Sequence, residues 1–136
     1  MYLVHVEVKD SAIDGKGVFA TEPAKRGAIL WKFDSSHDKS MSVEDFQNLS
    51  DTERAELQRV AYLSQYTNRW VYPPENDPAL FTNHNPGNNN MSVIFDKNLS
   101  DEPIFVANRD INAAEELTNN YLEFDARPEK GTAGWI

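Results

Sequence analysis

Three short segments carry residue types whose spacing can support chemistry. Gly15-Lys16-Gly17-Val18-Phe19 places two of the chain's six glycines one residue apart. Glycine lets backbone approach a ligand closely and allows positive φ, so the segment can present amides to a cofactor. Taken alone, it reads first as a hairpin turn. It is not a phosphate loop, because no Gly-Lys-Ser/Thr follows at the required spacing. Asn83-His84-Asn85-Pro86-Gly87-Asn88-Asn89-Asn90 is rich in side-chain amides, which satisfy local backbone groups in turns. With His5 and His37 as the other histidines and no cysteine, His84 reads as a structural histidine, and no metal site is expected. The third segment runs from Ala114 through Glu115, Glu116, Leu117, Thr118, Asn119 and Asn120 to Tyr121. Its paired carboxylates read as solvated residues on a turn, and Tyr121 by composition as a core tyrosine.

The elements that must hold these segments are mostly short strands. Val4, Val6 and Val8 alternate with polar residues, the period of a half-buried strand. Val18 to Ala20, Ala28 to Trp31, Ser92 to Phe95 and Ile104 to Ala107 read as further strands. Asn112 to Leu117 reads as a turn leading into an extended segment that carries Tyr121. Residues 42–64 form the helical part: Val43, Phe46 and Leu49 recur at helical spacing. Ser50 and Glu53 match a capping box. Leu57, Val60 and Ala61 continue an apolar stripe expected to pack in the core. Pro73, Pro74 and Pro78 mark a loop. The tail after Asp125 holds Pro128, Gly131 and Gly134 and is expected to be irregular. The pattern predicts a mainly-β domain with one helical insert.

The chain has 136 residues, which favours one domain. No apolar run is long enough to cross a bilayer, and the N-terminus does not read as a signal peptide. The formal net charge is −9, so direct nucleic-acid binding, which draws on phosphate contacts, is disfavoured. A basic peptide would be attracted instead, although charge alone reads first as keeping the protein in solution.

In order and spacing, Ala12 to Ala20, Phe81 to Asn89 and Arg109 to Tyr121 resemble the SET-domain protein-lysine methyltransferases. The resemblance spans nearly the whole chain, with the helical insert where the family varies. It departs from the family's usual Asn-His-Ser-Cys-x-Pro-Asn: Asn85, Pro86 and Asn88 replace Ser, Cys and Pro, while Asn83, His84 and Asn89 stand in place. Ala114 replaces the usual glycine before the Glu pair.

The resemblance implies a minimal, stand-alone SET domain over residues 1–136, with a helical insert at about 42–64 and an irregular tail at about 126–136. Its fold would be β-clip-like, with several small sheets and a pseudoknot in which the Asn83 loop crosses the strand carrying Tyr121. It implies S-adenosyl-L-methionine as cofactor. Lys16, Gly17 and Val18 would contact it through backbone, Asn83 and His84 would bind its methionine and adenine portions, and Trp135 could fold over it. Tyr121 would place its hydroxyl beside the transferring methyl, and Tyr66, Tyr72 and Asn119 would line the lysine channel. The implied partner is a lysine-containing basic protein or peptide such as a histone tail, with no nucleic acid or membrane. The implied compartment is intracellular: cytoplasmic in a bacterium, the host nucleus for a viral or secreted protein. The altered Asn-His loop supports an alternative, a SET-like module that binds peptide or cofactor without turnover.

Overall fold

The computed structural model describes residues 1–127. Strands β1 (Val6–Asp10) and β2 (Lys16–Ala20) form an antiparallel hairpin with Val8 opposite Val18. The alternating valines predict a half-buried strand, but β1 lies at the edge of its sheet and leaves Val8 38% exposed. On its other side β2 pairs with the strand Glu116–Asn119, numbered β10 below, with Leu117 opposite Val18. Both of those side chains are completely buried. Strand β3 (Ile29–Trp31) belongs to a second sheet with β8 (Met91–Ile94) and β9 (Ile104–Ala107), in the order β3-β9-β8. Leu30, Met91, Ile104 and Ile111 join Val18 and Leu117 among the most buried apolar side chains of the described residues.

The third unit holds the helical insert. Strand β4 (Lys39–Ser42) leads into α1 (Val43–Gln47) and α2 (Asp51–Val60). The capping box forms as the sequence predicts: Ser50 Oγ accepts from the Glu53 amide and Glu53 Oε1 from the Ser50 amide. The helical region is shorter than residues 42–64, however. It breaks between Gln47 and Asp51, and at Ala61 the backbone turns extended. Tyr62–Leu63 is then strand β5, which pairs with β6 (Arg69–Tyr72), and β4 pairs with the other edge of β6. These three strands carry too few apolar alternations to announce themselves in the sequence. The expected core stripe is also only partly buried. Leu49 and Leu57 pack against Phe46, Ala61 and Trp70, but Val60 is 45% exposed. Phe46 stacks on Trp70 with ring centroids 4.4 Å apart.

A buried ion pair locks this unit to the rest. Arg127 lies with its guanidinium 5.3 Å from the Trp70 ring and bonds Asp125 Oδ2 at 2.7 Å. It also donates to the carbonyls of Gln58 and Ala61, at 2.7 and 2.8 Å, where the end of α2 would otherwise leave them unpaired. Ala126 donates its amide to Leu63 O. The expected irregular tail is therefore docked at its first two residues, because the carbonyls at the end of α2 and the edge of β5 need partners. Replacing Arg127 by Met should destabilise the fold by about 3–5 kcal/mol, because it strands the fully buried Asp125 carboxylate. Chemical denaturation monitored by Trp fluorescence would measure this.

Candidate functional site

Strand β10 brings the three motif segments together. Strand β7 (Asn83–His84) runs parallel to it, with Thr118 opposite Asn83 and Asn119 opposite His84. Asn85 continues the contact, its amide bonding Asn119 O at 2.8 Å. Asn90 acts as a side-chain substitute for a further strand: Oδ1 accepts from the Thr118 amide at 2.9 Å and Nδ2 donates to Glu116 O at 2.7 Å. Asn90 is 1% exposed, so each bond is made without competing water. The extended segment predicted to carry Tyr121 stops two residues earlier, at Asn119. Tyr121 opens a short 3-10 turn, Tyr121–Glu123, capped by the Asn120 side chain.

That turn sets the ring of Tyr121 against His84. The Tyr121 amide donates to His84 Nδ1 at 3.0 Å, and the two rings stack with centroids 4.5 Å apart. Accepting at Nδ1 requires a neutral imidazole protonated on Nε2. Partial burial works the same way, lowering the His84 pKa below its usual value. The Tyr121 hydroxyl donates to Thr82 O at 3.3 Å, and burial pushes its pKa up to about 12.

On one side of this pair lies the glycine hairpin. Asn83 Nδ2 reaches Ser11 Oγ, Asp14 O, Lys16 O and Glu116 Oε2 at 2.9–3.1 Å. Lys16 thus contributes its carbonyl, while its ammonium turns outward to pair with Asp10. Gly15 has φ +46°, whereas Gly17 needs no unusual φ. Val18 contributes backbone to the hairpin and its side chain to the core. Two amide hydrogens cannot serve four acceptors, so the hairpin has acceptor capacity to spare for an ammonium group.

On the other side of Tyr121 is a cavity of about 110 Å³, bounded among others by Tyr2, Tyr62, Tyr72, Asn119, Tyr121 and Phe124. It has room for several water-sized groups. Two buried oxygens at its wall, Tyr62 OH and Asn119 Oδ1, have no hydrogen-bond partner among the described residues. Such atoms carry a desolvation cost. The structure places Tyr72 and Asn119 at this cavity, but Tyr66 elsewhere: it is 39% exposed and stacks on Phe95. Trp135 lies outside the described residues. Tyr2, Tyr62 and Phe124 went unnoticed in the sequence. Tyr62 hid behind the helical reading, and Tyr2 is held by a partner eighty residues on, Thr82, at 2.7 Å.

A family model described as SET domain matches residues 15–122. The chain belongs to the SET-domain family. No curated protein matches the sequence. Among solved structures, a Plasmodium falciparum protein provisionally described as a histone methyltransferase has the same fold, with a TM-score of 0.58 and 19% identity over 87% of this chain and 93% of that one. The family is one of methyltransferases, and this SET domain has the mainly-β, several-sheet architecture that the sequence motifs imply.

The carboxylates that the sequence presents as a solvated pair are in fact engaged separately. Neighbours on a strand point to opposite faces. Glu115 bonds Arg109 at 2.7 Å and Asn90 at 3.2 Å, and Glu116 bonds Ser11 and Asn83.

Burial of His84 has a measurable consequence. Its pKa is depressed on folding, so the unfolded chain takes up the proton first as pH falls. Stability should therefore decline as pH drops below about 6.5, the usual histidine value, and level off below the folded pKa. Replacing His84 by Asn should flatten that part of the wild-type curve when the two proteins' melting temperatures are compared between pH 5 and 8.

Proposed function

We propose that this SET domain is an S-adenosylmethionine-dependent protein-lysine N-methyltransferase. The observation that carries the proposal is the place of Tyr121. Its ring packs on His84 next to the Asn83 hairpin, and the same residue forms part of the wall of the aromatic cavity. One residue thus joins a patch suited to the cofactor's amino-acid end with a slot suited to an unbranched amine side chain.

A lysine amine has a pKa of about 10.4 in water and lacks a lone pair while charged. The cofactor supplies an electrophilic methyl group on a sulfonium. The chain must present a neutral amine in line with it, and much of the rate should come from that alignment. Aromatic walls exclude water and disfavour the charged amine. The amine's proton leaves to solvent before its lone pair forms the new N–C bond, and the S–C bonding pair stays with sulfur. Tyr62 and Asn119 belong to the wall of the cavity that would receive the amine. The Tyr121 hydroxyl, whose pKa burial raises to about 12 and which bonds Thr82 O, would offer a protonated oxygen for weak C–H contacts to a polarised methyl. The formal charge of −9 supports a basic substrate, a histone or another basic protein.

Tyr121→Phe keeps the ring and its stacking on His84 but removes the hydroxyl. We expect cofactor affinity to persist while turnover on a lysine-rich peptide falls about 100-fold or more. The rate should rise from neutral into mildly alkaline pH in both proteins, because the group that loses its proton there is the substrate amine. A variant with wild-type turnover, or one whose alkaline rise has vanished, would contradict this division of roles.

A further inference from the structure

Glu116 sits where three distant parts of the chain meet. Its Oε1 accepts from Ser11 Oγ at 2.8 Å, and its Oε2 accepts from Asn83 Nδ2 at 2.9 Å. Ser11 in turn shapes the hairpin: its amide bonds Gly15 O and its hydroxyl accepts from the Ile13 amide. Gly17 is the counterpart of this arrangement. A Cβ there would lie 2.3 Å from Glu116 Oε2 and 3.1 Å from Ser11 Cβ, far inside contact distance. A side chain at residue 17 would therefore have to displace the Glu116 carboxylate, whereas the backbone there is unstrained, since only Gly15 of the pair has a positive φ.

Among the described residues, no lysine, arginine or histidine forms an ion pair with Glu116. The half-buried carboxylate thus adds a full negative charge to a cluster of acceptors that Asn83 alone cannot satisfy. A partly desolvated anion favours a cation close by. We infer that Glu116 is a positioning residue for the ammonium group at the amino-acid end of the cofactor: it orients Asn83 and the hairpin through its two oxygens and supplies the countercharge. The inference rests on the cofactor reading proposed above and adds to it a residue that the motif comparison leaves unassigned.

The test compares two ligands by calorimetry. S-adenosylhomocysteine carries the amino-acid end, and 5′-methylthioadenosine keeps the nucleoside and sulfur without it. Glu116→Gln preserves size, removes the charge and sets an amide against Ser11 or Asn83. It should weaken S-adenosylhomocysteine about 10-fold or more and leave methylthioadenosine within about twofold. Ser11→Ala, which frees one carboxylate oxygen, should show the same selectivity with a smaller loss, about threefold. It serves in place of Glu116→Gln if that protein does not fold. Equal losses for both ligands would make Glu116 a fold residue only and overturn the inference, as would unchanged binding of both. Failure of the wild-type protein to bind either ligand at millimolar concentration would overturn the cofactor reading itself and this inference with it.

Discussion

The parallel pairing of Asn83–His84 with Thr118–Asn119 is the constraint on which the site depends. Two residues of ladder are a weak join by themselves. The protein reinforces them with side chains: Asn90 bonds the amide of Thr118 and the carbonyl of Glu116, and His84 Nδ1 takes the amide of Tyr121 just beyond the strand. These bonds are well buried or shielded by stacked rings, so each is costly to leave unmade. Their combined effect is positional. With the pairing in place, Asn83 must face the glycine hairpin, His84 must lie flat on Tyr121, and Asn119 must reach the cavity.

The electrostatic character of the site follows from the same packing. His84 is held neutral, and Tyr121 keeps its proton far into alkaline pH, both because burial disfavours their charged forms. Burial also pushes Tyr62 well above its ordinary value, with Glu102, Asp38 and Asp125 adding to the effect. The slot is therefore lined by neutral tyrosines and other aromatic rings, by aliphatic side chains, and by Arg59 and Arg127, whose positive charge also disfavours a charged amine. Glu116 places a formal negative charge on the hairpin side. Such a division suits a reaction that needs a neutral amine at one end and a cationic group held at the other. The countercharge is fixed by folding, so it need not be gathered when the reaction occurs.

The local parts of this arrangement were legible in the sequence. The capping box at Ser50 and Glu53 formed as written and β9 spans the four residues that its apolar run predicts, while the hairpin turn ends at Gly15 and leaves Gly17 inside β2. What depends on distant partners was not. Tyr62 looked like the end of a helix, because nothing nearby says that Ala61 turns extended to let Tyr62 pair with Val71. Glu115 and Glu116 looked like a solvated pair, because their separate partners, Arg109 and Asn90 for one and Ser11 and Asn83 for the other, appear only once the strand assigns them opposite faces. Tyr66 shares the residue type of Tyr72 but lies in the turn before β6 and packs on Phe95, whereas Tyr72 is part of β6. Motif order identified the family; tertiary contacts decided which tyrosines meet.

The most direct measurement is the transfer of an isotopically labelled methyl group. Incubating the protein with S-adenosylmethionine labelled at the methyl and a panel of lysine-containing basic peptides, then locating the label by mass spectrometry, tests whether the two halves of the site work as one. The account predicts label on a lysine side-chain nitrogen of at least one peptide, and none with Tyr121→Phe over the same time. Cofactor binding without label on any lysine, across basic peptides and at mildly alkaline pH, would contradict it.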